Sequence, residues 1–255
     1  MNFIDTHAHI YVENMIEDSD NIIYRAKQAG ISKILMPNID VASISPMLSL
    51  TKEFPNYCYP MLGLHPCDVK DDYKTALDAI FSQFSSEYIA VGEIGLDLYW
   101  DKTTLNRQID AFRYQADVAI EKELPISVHV RDAFPQMLEL LEDYRGKGLK
   151  GVLHCFTGTF EQATQAIDLG FYLGVGGVLT FKNSGVDKTL ANIGLEHLIL
   201  ETDSPYLAPS PYRGKQNEPS YLPLIAKRLA EIHHINIEEV AKQTAQNANR
   251  LFKLS

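Results

Sequence analysis

Eight short apolar runs, each followed by a loop and a longer amphipathic stretch, recur along the 255-residue chain, and this rhythm restricts the fold more than any other feature. The runs occupy residues 2–7, 33–37, 57–64, 89–94, 125–130, 151–156, 171–175 and 198–202. Helical spacing marks residues 21–29, 75–84, 105–121, 133–144 and 160–169 between them. Gly30 and Gly170 stand where helices end, just before the next run. The runs are continuously apolar rather than alternating, so the sheet they form is covered and parallel. Eight such units in a chain of this length favour a closed (β/α)8 TIM barrel over an open, doubly wound α/β sheet. After the eighth run, residues 221–233, 237–244 and 245–252 read as three further helices. No linker, fixed-period repeat or low-complexity stretch interrupts the pattern, so residues 1–255 read as one barrel domain.

A barrel of this size buries roughly three quarters of its unfolded surface and needs no disulfide or structural metal to be stable. The three cysteines, Cys58, Cys67 and Cys155, are odd in number and lack CxxC spacing, which excludes a disulfide framework and a zinc knuckle. No apolar run approaches the ~18 residues of a membrane span, and the first residues lack the features of a signal peptide. A cytoplasmic protein with no membrane contact and no obligate protein partner is expected. The net charge is −10, from 23 basic and 33 acidic residues. That balance excludes a protein that grips nucleic acid over a basic surface, yet permits an enzyme that handles an anion through bound cations at one focused site.

Polar residues gather at the ends of the predicted strands. The first ends His7-Ala8-His9, and alternation along an extended chain turns both histidines to the same side. The pair can clip a metal; read alone, it fits two surface histidines equally well. Glu93 stands within an apolar run, where a carboxylate is costly unless paired or coordinating a cation. His65, His129 and His154 end the third, fifth and sixth strands, and Glu201 and Asp203 end the eighth. Each histidine taken singly reads as readily as a hydrogen-bonded core residue. In a (β/α)8 barrel, however, all the C-terminal strand ends converge on one face. His7, His9, Glu93, His129, His154 and Asp203 would meet there as six N/O ligands without a thiolate. Six exceed the three or four protein ligands of one catalytic zinc and suggest two metals sharing a carboxylate, with Glu93 as the bridge. His65, Glu201 and Arg131 remain for the surroundings or the substrate.

These residues resemble the TatD-type metal-dependent deoxyribonucleases, within the amidohydrolase-like barrels. The motifs that carry the resemblance span the chain: Phe3-Ile4-Asp5-Thr6-His7-Ala8-His9, Gly92-Glu93-Ile94-Gly95-Leu96-Asp97, Pro125-Ile126-Ser127-Val128-His129-Val130-Arg131, His154-Cys155-Phe156-Thr157-Gly158 and Glu201-Thr202-Asp203-Ser204-Pro205-Tyr206-Leu207. The likeness continues through residues 213–219 and 247–252. It implies that His7, His9, Glu93 and Asp203 hold one divalent ion and Glu93, His129 and His154 a second, with Mg²⁺ the family's usual metal. Tyr11, Pro135 and Gly194 differ from the residues common in the family, and none is a ligand position.

The expected chemistry is phosphodiester hydrolysis by water activated between two divalent ions, Mg²⁺ first, with Mn²⁺ or Zn²⁺ also compatible. Asp203 would take the proton of that water, and His65 would touch a non-bridging or leaving oxygen. Arg131 would anchor a phosphate and Arg213, with Lys215, would add a contact from a loop. The acidic surface favours a single-stranded DNA or RNA end over a duplex, hence 3′–5′ exonuclease action. Tyr99, Trp100, Phe156, Phe181 and Tyr206 lie near strand ends, where they could stack bases or merely pack. The same ligands would also serve an ester or amide hydrolase, such as a deacylase of misacylated tRNA. A non-catalytic metal-binding scaffold is a third reading, against which the intact ligand set argues.

Overall fold

A computed structural model describes residues 1–254. Eight parallel strands follow one another around a barrel: β1 (Phe3–Asp5), β2 (Ile31–Pro37), β3 (Cys58–Met61), β4 (Val91–Asp97), β5 (Ile126–Arg131), β6 (Gly151–Leu153), β7 (Phe171–Val175) and β8 (Leu198–Leu200). Ladder pairing runs β1-β2-β3 and β4-β5-β6-β7-β8. Two seams close the ring. Between β3 and β4, Leu62 N donates to Ala90 O (3.2 Å) and Gly92 N to Leu62 O (3.0 Å). Between β8 and β1, Thr6 N donates to Leu200 O (3.1 Å), Asp203 N to His7 O (2.8 Å) and His9 N to Ser204 O (2.6 Å). The architecture is therefore the expected (β/α)8 barrel.

The helices are α1 (Glu13–Ile16), α2 (Ser19–Gln28), α3 (Ile44–Glu53), α4 (Tyr73–Phe81), α5 (Leu105–Glu121), α6 (Phe134–Glu142), α7 (Phe160–Asp168), α8 (Val186–Leu190), α9 (Leu222–His233) and α10 (Ile237–Phe252). α5 occupies the expected span, and α2, α4, α6 and α7 fall within two or three residues of theirs. Gly30 and Gly170 follow α2 and α7 with φ of 84° and 88°, the left-handed conformation that glycine adopts without penalty. One expectation needs correction: residues 237–244 and 245–252 are not two helices but the single helix α10. Asn247, which would weaken an isolated helix, is instead buried and donates to Leu195 O (2.7 Å) and Leu198 O (2.8 Å) at the start of β8.

Strand residues alternate between two apolar layers. Ile34, Met36, Leu153, Leu198 and Leu200 belong to the large layer between sheet and helices. Ile4, Leu35, Met61, Val152 and Ile199 point the other way, into the barrel, and pack with Ala245, Ala248, Leu251 and Phe252 of α10. α10 thus plugs the N-terminal end of the barrel. Following the same inward parity towards the C-terminal end leads from Val152 to His154 and from Ile199 through Glu201 to Asp203. The apolar interior gives way there to ionisable groups.

Candidate metal centre

Local structure aims each side chain at the mouth. Asp5, fully buried at the end of β1, accepts hydrogen bonds from Thr202 N (2.9 Å), Thr202 Oγ1 (2.5 Å) and His7 N (3.3 Å). Burial pushes the Asp5 carboxyl up to about 8 while the Thr202 bonds pull it down. This knot ties the segment carrying His7 and His9 to the one carrying Asp203. On β4 the register against β5 advances three residues, Val91 to Ile94, while the partner advances two, Ile126 to Val128. Glu93 sits in that bulge, a device that re-aims a side chain.

The structure brings together all six expected ligands, the other five grouped around Glu93. Its Oε2 lies 3.1 Å from His7 Nε2 and 3.4 Å from His9 Nε2. Asp203 Oδ1 completes this group at 3.8 and 3.7 Å from the same two nitrogens. Glu93 Oε1 faces the other way, 2.8 Å from His129 Nδ1, 2.9 Å from His154 Nε2 and 3.4 Å from His65 Nε2. One carboxylate therefore divides two nitrogen clusters between its two oxygens.

The remaining ring nitrogens show which atoms can bind a cation. Tyr11 donates its hydroxyl proton to Pro37 O (2.5 Å), so its oxygen accepts from His9 Nδ1–H (2.9 Å) and His9 Nε2 keeps its lone pair. His129 Nε2 lies 3.0 Å from Asp97 Oδ2, which frees His129 Nδ1 for the cluster. His7 Nδ1 is 3.2 Å from Ser127 Oγ. His154 Nδ1 sits 3.3 Å from Glu201 Oε1, close enough for an ion pair but not aligned for a hydrogen bond. His65 is the exception. Its Nδ1 accepts the Cys67 backbone N–H (3.1 Å), so its Nε2 carries the proton and faces the site as a donor.

Charge is concentrated here. Glu93, Asp97, Glu201 and Asp203 are all buried, and the groups facing Glu93 and Asp97 include imidazoles. Burial lowers His7 well below the ordinary imidazole value, and it lowers His65 as well. Burial also works against protonation of His154, but Glu93 and Glu201 hold it well above that value. For His129 burial is outweighed by the bonds to Asp97 and Glu93, which raise it. Glu93, despite burial, is held well below the carboxylate range by the surrounding imidazoles, and Asp97 is held at about 2 by His129. Burial raises Asp203 to about 6. Among the described residues, Glu201 Oε2 and His154 Nδ1 have no hydrogen-bond partner. Oxygen and imidazole donors that face one another across lone pairs, backed by partners on the opposite ring nitrogens, fit hard or borderline divalent cations.

The mouth opens into a cavity of about 580 Å³ lined by His9, His65, Glu93, His129, His154 and Asp203 and rimmed by Trp100, Arg131 and Tyr206. Arg131 is exposed, with its guanidinium 3.7 Å from the Tyr99 ring centre. Arg213 is exposed on the Phe181 ring, 4.3 Å from its centre, and does not line the cavity. Phe156 is buried against Phe134 and packs rather than presenting a face. The sequence reasoning gave no role to Asp97, Ser127 or Tyr11. The signal for Asp97 and Ser127 was parity: each lies an even number of residues from a ligand on its own strand.

A parallel eight-stranded barrel with an N/O cluster at the C-terminal ends of its strands has the build of a metal-dependent hydrolase. Residues 4–253 match the TatD related DNase family, and the chain belongs to it. It is 37% identical over 253 residues to a Bacillus subtilis protein described as the uncharacterized metal-dependent hydrolase YabD, covering 98% of this chain and 99% of that one. It is 31% identical to the 3′–5′ ssDNA/RNA exonuclease TatD of Pectobacterium parmentieri, covering 94% and 95% of the two chains. Among solved structures, the TatD homologue YJJV of Escherichia coli superposes with a TM-score of 0.93 at 29% identity, covering 99% and 98%.

Proposed function

We propose that residues 1–255 act as one hydrolase domain that cleaves phosphodiester bonds, as a 3′–5′ exonuclease on single-stranded DNA or RNA ends. The observation that carries this reading is the division of Glu93 between two nitrogen clusters, which suits a pair of cations sharing one carboxylate. His7, His9, Glu93 and Asp203 would hold one ion, and Glu93, His129 and His154 the other. Two divalent ions, Mg²⁺ first and Mn²⁺ or Zn²⁺ as alternatives, would polarise the phosphoryl oxygens and acidify water when bound. Asp203, the most exposed of the buried mouth carboxylates, accepts the proton of the attacking water. His65 Nε2–H donates to the oxygen that leaves as the P–O ester bond breaks. Arg131, which has no carboxylate partner among the described residues, binds a phosphate, and Arg213 offers an outer contact to a longer strand. The relatives named as 3′–5′ exonucleases support the substrate class.

The test is hydrolysis of a 5′-labelled single-stranded oligonucleotide by metal-stripped protein with Mg²⁺, Mn²⁺ or Zn²⁺ restored, beside Glu93→Ala. A shortening ladder that requires metal and is absent in the variant is expected. Metal uptake without any cleavage would overturn the nuclease reading in favour of an ester or amide hydrolase, for which misacylated tRNA is the next substrate to try.

A further inference from the structure

Four large apolar side chains stand exposed beside this one cavity: Tyr99 (52%), Trp100 (72%), Tyr206 (50%) and Leu207 (40%). Exposed aromatics are normally scattered, so their grouping at a charged mouth calls for an occupant. They fall into two walls. Tyr99 and Trp100 follow β4, and Tyr206 and Leu207 follow β8. In an eight-stranded ring with strands in sequential order, β4 and β8 are diametrically opposed. The Glu93 clusters lie between the two walls.

The first wall is built around a cation. The Arg131 guanidinium lies 3.7 Å from the Tyr99 ring centre and 5.6 Å from that of Trp100, and the two rings meet edge to face at 88°. Arg131 has no ion pair among the described residues, so stacking on the two rings orients it, with its donors left for an anion. On the second wall Tyr206 stands edge-on to His9, their ring centres 6.0 Å apart. A guanidinium beside an exposed indole matches one repeat of a polynucleotide, a phosphate next to a flat base. Neither partner alone would need both.

We propose that Trp100 is a base-stacking shelf, with Arg131 beside it as the phosphate contact and Tyr206 as the facing wall, so that the site selects unpaired nucleotides. The inference rests on the phosphodiesterase reading and adds the feature that chooses single strands: a base must leave its duplex partner to lie on the indole. The metal cluster alone would not discriminate in this way.

Trp100 is the sole tryptophan of the chain, so its emission reports directly on the shelf. In Mg²⁺, the protein is titrated with a short 5′-dye-labelled oligothymidylate carrying phosphorothioate linkages, and with an abasic chain of the same length and linkage. Binding is read from dye anisotropy and stacking from tryptophan emission. The thymidylate is expected to quench Trp100 and to bind roughly tenfold or more tightly than the abasic chain. Trp100→Ala, a change at an exposed side chain, should bring the two affinities together. Equal binding of both chains with unchanged emission would overturn the shelf while leaving the phosphodiesterase reading intact. If no oligonucleotide is bound, and an unmodified one is not cut, both fail.

Discussion

The two ends of the barrel interior put the same inward parity to opposite purposes. At the N-terminal end Ile4, Leu35, Met61, Val152 and Ile199 meet Leu251 and Phe252 of α10 and form an apolar plug. At the C-terminal end the inward-facing positions are Glu93, His154 and Asp203, all buried, and the half-buried His129, with Glu93 lying 2.8 Å from His129 Nδ1 and 2.9 Å from His154 Nε2. One end contributes stability through apolar burial. The other holds ionisable groups at a desolvation cost that only a cation, or shared protons, can offset. The difference teaches that stability and chemistry can be separated along a strand by a few residues.

That separation can be broken by mutation. Glu93→Gln should lower hydrolysis at least about a thousandfold and abolish tight metal uptake, measured by steady-state rates and elemental analysis. Phe252→Ala should do the reverse. It should cost about 3–5 kcal/mol in denaturant unfolding while leaving turnover and metal content unchanged in the folded protein. An equal loss of metal in Phe252→Ala would mean that the two ends are coupled. Asp97→Asn should weaken metal affinity by about 10- to 100-fold in a chelator competition, because it loosens the hold on His129 without removing a donor. The smallest effect is that of pH. His129 and His154 are both held above the ordinary imidazole value in the metal-free chain, so each must lose a proton for its facing nitrogen to bind a cation. Metal affinity should therefore rise from pH 6 to pH 8 with release of protons, and a flat profile in two buffers of different ionisation enthalpy would contradict this.

Much of this was legible in the sequence because two periodicities coincide. Continuous apolar runs gave the strands, and the polar residues ending them gave the mouth, so His7, His9, Glu93, His129, His154 and Asp203 could be grouped without coordinates. What was not legible depends on contacts between distant segments. β1 and β8 stop at Asp5 and Leu200, earlier than the runs suggest, and beyond them only single backbone bonds such as Asp203 N to His7 O and Glu201 N to Val175 O continue the pairing. The continuity of α10 depends on Asn247 finding carbonyls 49 and 52 residues away. The donor character of His65 depends on a backbone N–H two residues on, in a turn no periodicity announces. That a phenol at Tyr11 orients His9 depends on the Pro37 carbonyl, which takes the hydroxyl proton and leaves the oxygen to accept from His9.

The central claim is that Glu93 bridges two divalent ions, and anomalous diffraction from crystals grown with Mn²⁺ tests it most directly. The account predicts two peaks about 3.5–4 Å apart, one on the side of Glu93 Oε2 with His7, His9 and Asp203, the other on the side of Oε1 with His129 and His154. A single peak at saturating Mn²⁺, or two peaks of which neither contacts Glu93, would contradict it.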